Sequence, residues 1–282
     1  MPVFLSLDCG NRYLKQIRKR RYKHLFFLCL VCSLSFRAYA DVFAVTPALR
    51  YFQYQEFDQD NRLLSEEKGV LPGLKLGFDH PVGNGIVESH IAFFESEIDY
   101  NGQTQSGEPH ETDTGTRLTS LGLKWLSVNQ ARISGRLFLG YRYWNWDRDI
   151  QANNGVLGLH EVYTWHEFEL GLRFESEKNQ HHSYWLDLSA MYVINPNVEI
   201  SLPSSKVNLS LGNEPGFRIR AGKEWTRNER QKLSFTLFAE YWEFGRSDTV
   251  FTDDFFGQSA FLVEPRSESF HTGLELSFKF FF

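Results

Sequence analysis

ARISGRLFLGYRY, residues 131–143, alternates from end to end. Its odd positions are Ile133, Gly135, Leu137, Leu139, Tyr141 and Tyr143, and its even positions are Arg132, Ser134, Arg136, Phe138, Gly140 and Arg142. A period of two sends successive side chains to opposite sides of an extended chain. The stretch therefore reads as a strand with one greasy face and one cationic face.

The same split recurs along the chain. Val162, Phe168, Leu170, Leu172 and Phe174 oppose Glu167, Glu169, Gly171 and Arg173. Leu186, Leu188, Tyr192 and Ile194 oppose Asp187 and Ser189, and Leu233, Phe235, Leu237 and Tyr241 oppose Ser234, Thr236 and Glu240. At the end of the chain Phe270, Leu274, Leu276, Phe278, Phe280 and Phe282 oppose His271, Glu275, Ser277 and Lys279. About ten strands follow from this pattern: 42–57, 69–80, 86–100, 116–128, 131–148, 160–176, 183–195, 215–226, 232–246 and 266–282. The third, IVESHIAFFESEIDY, keeps neither parity throughout and predicts a bulge. The eighth carries Lys223 among apolar residues.

Short connections near 81–85, 128–130, 177–182 and 227–231 alternate with polar ones near 58–68, 101–115, 149–159, 196–214 and 247–265. The charged face decides what this alternation means. It carries Arg132, Arg136, Arg142, Arg173, Arg218 and Arg220 against Glu167, Glu169, Glu240 and Glu275. A soluble sandwich cannot bury so many charges in its core, because each unpaired one costs several kcal/mol. The apolar face must then meet lipid, and the sheet must close so that no edge is left unpaired in hydrocarbon. Trp125, Tyr184, Trp225, Phe280 and Phe282 fall near the short-turn rim, and Tyr51, Tyr141, Tyr143, Tyr192 and Tyr241 near the other, as two bilayer interfaces require. The fold class is thus all-β: a closed antiparallel transmembrane β-barrel of about ten strands, with short periplasmic turns and long extracellular loops.

Residues 1–40 read as a cleavable signal peptide, with a basic stretch (Arg18 to Lys23), the apolar core LFFLCLVCSLSF and Ala38–Tyr39–Ala40 before the cut. Residues 41–282 are the barrel. Cleavage removes Cys9, Cys29 and Cys32, all the cysteines there are, and makes the remainder more acidic than the −5 of the whole chain. No disulfide framework or thiolate metal site is expected, nor any cofactor, metal or nucleic-acid partner.

The last nine residues, LELSFKFFF, resemble the C-terminal signature of bacterial outer-membrane proteins. That resemblance implies a Gram-negative outer membrane with its lipopolysaccharide as surroundings, and recognition of Phe278, Phe280 and Phe282 by the barrel-assembly machinery. Glu95, Glu97 and Asp99 in FESEIDY alternate near the outer rim and form a candidate cation or basic-ligand site. Length, strand number, loop layout and these rim carboxylates resemble the omptin family of outer-membrane proteases. The resemblance implies a pair of acids from this region working with an Asp-x-His at the outer end of the seventh strand. That strand ends MYVINPNVEISLP, 191–203, without a histidine, so the general base is missing and the likeness is architectural.

A barrel of about ten strands lies near the side-chain-filled end of the size range. The Arg/Glu face then packs the interior as a salt-bridged network, and surface loops carry binding or adhesion to an extracellular ligand. An omptin-like protease or lipid-modifying hydrolase, and a narrow solute channel, are the alternatives.

Overall fold

A computed structural model describes residues 41–103, 107–127, 135–176, 181–202, 205–253 and 259–282. The signal segment 1–40 and Arg132 lie outside the described residues. Thirteen strands follow one another: β1 (Val42–Phe57), β2 (Leu63–Val82), β3 (Gly85–Gln103), β4 (Pro109–Ser127), β5 (Gly135–Ile150), β6 (Leu159–Glu175), β7 (His182–Ser201), β8 (Lys206–Ser210), β9 (Pro215–Asn228), β10 (Gln231–Phe244), β11 (Val250–Asp253), β12 (Ser259–Leu262) and β13 (Arg266–Phe281). Ten of them make a ring. β1 pairs with β2 and with β13, and β6 pairs with β7, so every long strand has two neighbours, all antiparallel. The short β8 pairs with the upper end of β7, above the point where β9 takes over, and β11–β12 form a separate hairpin before β13.

The turns follow local chemistry. Gly83, at φ 58°, lets β2 and β3 join through two residues. Between β1 and β2 the Asp58 carboxylate accepts from the backbone N–H groups of Asp60 and Arg62, both at 2.8 Å, and Asn61 takes φ 60°. This tight turn replaces the long loop expected over 58–68. The same correction applies elsewhere. β2, β3, β4 and β7 run for 19 or 20 residues, about twice the 9–11 needed to cross a bilayer. Part of the polar sequence read as loop, notably 63–68, 109–115 and 196–201, is barrel wall standing above the membrane.

On the outward face, Leu137, Leu139, Phe168, Leu170, Leu188, Ile219 and Leu237 are exposed and form the lipid-facing band. Tyr51, Tyr192 and Tyr241 fringe it above, and Tyr184, Trp225 and Phe282 below. Lys223 points outward as well, its ammonium over the rings of Tyr184 (5.1 Å) and Trp225 (4.9 Å) at the lower fringe. A long amphipathic side chain can reach the headgroups from there, which explains a cation on a greasy face.

β3 contains no bulge; it holds one register with both β2 and β4 along its whole length. Its mixed pattern has another cause. Even residues Glu88, His90, Phe94, Ile98 and Tyr100 face the bore and odd residues Ile91, Phe93, Glu95, Glu97 and Asp99 face out. Near Phe94 the chain leaves the membrane, and the apolar face changes from outside to inside. Register does shift at the end of β1 beside Glu56, at the start of β10 beside Gln231, and within β7. Thr164 and His166 of β6 face Asn197 and Ile194, which leaves one extra residue on β7 beside Asn195 at φ 49°. Inward side chains accordingly change from Met191 and Val193 to Val198 and Ile200.

The interior therefore has two layers. Above the lipid band lies a core of Phe52, Phe94, Leu118, Trp144, Trp146, Tyr163, Trp165, Trp242 and Phe244, all almost fully buried. Trp144 and Trp165 stack at 5.5 Å, Trp242 lies 6.0 Å from each, and Trp146 stacks on Tyr163 at 4.8 Å. Rings of this size bury 150–250 Å² each and fill the bore. Close packing sets the small residues facing them: at Gly73 a Cβ would collide with the Phe94 ring. Below this core, within the lipid band, the interior is ionic. The expectation of a charge-filled interior describes that lower layer; the upper one is aromatic, because its outer wall meets water and its greasy residues must turn inward.

Candidate functional site: the two ends of the bore

β5, β6, β9, β10 and β13 place the predicted ionic residues in one network. Arg218 donates to Glu240 at 2.6 Å and Glu167 at 2.9 Å and lies 3.0 Å from Glu169. Arg220 reaches Glu275 at 2.7 Å, and Arg136 reaches Glu175 at 3.1 Å. Arg173 grips both oxygens of Asp187, at 2.6 and 2.7 Å, and donates to Glu88 at 3.0 Å. Arg142 is the looser member, 3.6 Å from Glu240. Arg50, which the alternation also puts on the charged face, ion-pairs with Glu240 at 2.8 Å and donates to His271 at 2.6 Å. Each pair offsets the desolvation its partner would suffer alone.

Beneath the network a polar cavity of about 470 Å³ opens at the short-turn rim. Lys75, Lys124, Arg142, Arg220, Lys232 and Lys279 are among its lining cations.

Above the aromatic core lies a second polar centre, clear of the lipid band. Arg148, fully buried, donates through Nε to Glu67 at 2.5 Å and through Nη1 to Glu161 at 2.5 Å and Glu56 at 3.0 Å. The Tyr163 hydroxyl lies 2.6 Å from Glu264 and 3.2 Å from Glu161, and its one proton is given to one of the two. Three carboxyl groups thus converge on one guanidinium, and Glu264 joins them through the Tyr163 hydroxyl. Burial pushes Glu67 up to about 7 despite Arg148 beside it. Burial, then repulsion from Glu161 and Glu56, holds Glu264 well above the usual carboxylate range. Burial opposes the charge of Arg148, yet Glu67, Glu161 and Glu56 outweigh it and raise its pKa well above the ordinary value. Glu264 also fastens the β10–β13 connection: its backbone N–H donates to the Ser247 hydroxyl at 2.8 Å, and its carbonyl accepts from the Ser247 N–H at 3.0 Å.

No family model and no curated protein matches the sequence. Solved structures do. The outer membrane protease OmpT from Escherichia coli aligns over 89% of this chain and 99% of its own, at 9% identity and a TM-score of 0.55. The translocator domain of the autotransporter NalP from Neisseria meningitidis aligns over 93% and 95%, at 12% identity and 0.43. OprG from Pseudomonas aeruginosa aligns over 86% and 96%, at 8% identity and 0.35. This is an outer-membrane β-barrel fold. Its ten-stranded architecture is omptin-like; at such identities the likeness is one of fold alone, and the two lower scores support no inference.

Within this omptin-like barrel, Glu95, Glu97 and Asp99 sit on the outer wall and point away from the bore. Glu95 already holds Arg117 at 2.6 Å, and Asp99 stands between Lys68 on β2 and Asp113 on β4. They cannot meet inward side chains of β7 across the bore. Where the resemblance implies an Asp-x-His, β7 carries Asn195 and Asn197. The structure instead assembles a group that linear spacing hid. On the outer wall, His160 of β6 contacts the Asp147 carboxylate of β5 through Nε2 at 3.0 Å and the Ser201 hydroxyl of β7 through Nδ1 at 3.4 Å. These three come together only because β5, β6 and β7 are neighbours; the register pairing His160 with Ser201 is the signal that could have found them. Phe278 and Phe280 face outward on β13, and Phe282 follows with its backbone N–H donating to the Asp41 carbonyl at 3.0 Å.

Proposed function

We propose that this chain is a non-conducting barrel of the outer membrane of a bacterium with two membranes, non-enzymatic, whose outer wall and connections present a binding or adhesion surface. Lipid and lipopolysaccharide surround its apolar band, and the barrel-assembly machinery reads Phe278, Phe280 and Phe282. The observation that carries this reading is the aromatic core: Trp144, Trp165 and Trp242 pack against one another across the bore, with Phe52, Phe94 and Phe244 around them. Rings packed this closely support a bore without an open aqueous path. Reconstituted in planar bilayers, the protein should give no discrete current steps. Reproducible unitary conductance from the wild-type barrel would overturn the proposal.

One observation favours a second reading, hydrolysis at the outer wall. The Asp147–His160–Ser201 contacts follow the order acid, imidazole, hydroxyl that activates a serine. In that reading His160 takes the Ser201 proton through Nδ1, and Asp147 steadies the imidazolium through Nε2. A fluorophosphonate probe then labels the folded protein, and Ser201→Ala removes the label. No labelling of folded wild-type protein eliminates this reading.

A further inference from the structure

The ionic network is not uniformly satisfied. At its centre Glu240 serves Arg50 at 2.8 Å, Arg218 at 2.6 Å and Arg142 at 3.6 Å. Glu275 serves Arg220 at 2.7 Å and Lys75 at 3.7 Å. Glu167 and Glu169 also hold Arg218, at 2.9 and 3.0 Å, so four carboxylates face five cations. Arg50, Arg218 and Arg220 take the short contacts. The Lys75 ammonium and the Arg142 guanidinium are left at distances too long for a hydrogen bond among the described residues.

These two under-coordinated cations lie where the space is. They line both the roof of the 470 Å³ cavity and a smaller void of about 30 Å³ just inward of it. Arg50, Arg218, Arg220, His90 and the Ser120 hydroxyl side also border the smaller void, with Glu240 and Glu275 its only acids among the described residues. A void of that size takes about one water-sized group. Lys75 and Arg142 are largely withdrawn from solvent, at 20% and 14% side-chain exposure, so hydration satisfies them poorly. The Trp core above blocks approach from outside, so any ligand must enter from the short-turn rim.

We propose that this roof is an oxyanion site on the periplasmic side, with Lys75 and Arg142 as the ligating pair and phosphate chemistry as the occupant. Arg142 offers a planar fork suited to two phosphate oxygens, and Lys75 offers a point charge. The cavity beneath has room for an organic group attached to the phosphate. Free phosphate and a phosphate monoester share the recognition and differ only in what fills the lower space. Orientation follows from the reading of the short turns as periplasmic.

The test is titration calorimetry of the full barrel, folded in detergent at pH 7, with inorganic phosphate. One saturable site is expected. Lys75→Met and Arg142→Met should each weaken it about tenfold, while both variants keep the heat-modifiable gel migration of a folded barrel. Tighter binding of glycerol phosphate than of inorganic phosphate assigns the lower space to an organic group, and equal binding assigns the site to the free anion. Absence of a saturable heat, equal affinity in the variants, or chloride competing as well as phosphate overturns the proposal, the last result meaning a counter-ion only. If a variant fails to fold, the wild type still decides. Phosphate should protect Lys75 from acylation, read by mass spectrometry, and unchanged labelling counts against the site.

Discussion

The lower and upper halves of this barrel are built by opposite rules from the same strands. On β5, Leu137, Leu139, Tyr141 and Tyr143 face out beside inward Arg136 and Arg142; directly after them, Asn145, Asp147 and Asp149 face out beside inward Trp144 and Trp146. β3 and β10 change over at the same level, with Phe94 and Trp242 inward and Glu95 and Glu243 outward. Backbone pairing of β3 with β4 and of β10 with β9 and β13 continues across the change, while β2 and β3 keep one register but leave Glu95 to Ile98 unpaired between them. What differs is the solvent outside. Lipid selects apolar outer walls and leaves charges to pair within, whereas water selects a polar wall and drives the aromatics inward. The girdle of Tyr51, Tyr192 and Tyr241 marks where one rule yields to the other.

Substitutions on either side of that level test the comparison. The largest effect belongs to the upper core. Trp165→Ala should cost about 3–5 kcal/mol in urea titrations of the barrel in vesicles, while Phe168→Ala, on the lipid face of the same strand, should cost far less. Comparable losses would mean that the upper interior is not a packed core. Next comes charge on the wall. Leu237→Arg, in the lipid band, should lose about 2–4 kcal/mol. Glu97→Arg points the same way above the band and should stay within about 0.5 kcal/mol.

Acidity should separate the halves as well. Glu67 keeps its proton in the folded upper half up to about pH 7, whereas its ordinary value is 4.5. Between those values the folded state holds more protons than the unfolded one, so stability falls as pH rises. The contribution is complete below about 4.5, gone above about 7, and at most about 3 kcal/mol. Hydrogen-exchange protection at the outer ends of β2 and β5, taken relative to the intrinsic rate at each pH, should therefore fall from pH 5 to pH 8, and Glu67→Gln should flatten that dependence. A slope that survives the substitution assigns it elsewhere. The smallest effect is on the exposed wall: Arg117→Ala breaks a 2.6 Å pair with Glu95 yet should cost under about 1 kcal/mol. A greater loss would show the outer acids to be structural.

Much of this was legible beforehand, and the misreadings have one origin. The strands, the lipid face and the ionic residues Arg218, Glu240 and Glu275 follow from a period of two. Alternation put Glu95, Glu97 and Asp99 on one face near the outer rim, but it does not say which side of a wall that is once the solvent changes; the structure places them outside. The third strand seemed to bulge because its parity was judged against one environment. Polar stretches such as 101–115 read as loops because polar outer walls and loops share composition. The Asp147–His160–Ser201 contacts and the Arg148 centre were out of reach, since the first depends on the register between neighbouring strands and the second joins strands far apart in the chain.

The sequence alone determined a closed sheet with lipid outside, because a charged face and a greasy face of that length have no other stable arrangement. Tertiary structure alone decided how the bore is filled, which cations lack close partners and which wall residues meet, because these depend on register and on the height at which each strand leaves the membrane. Neither quantity is written in any single strand.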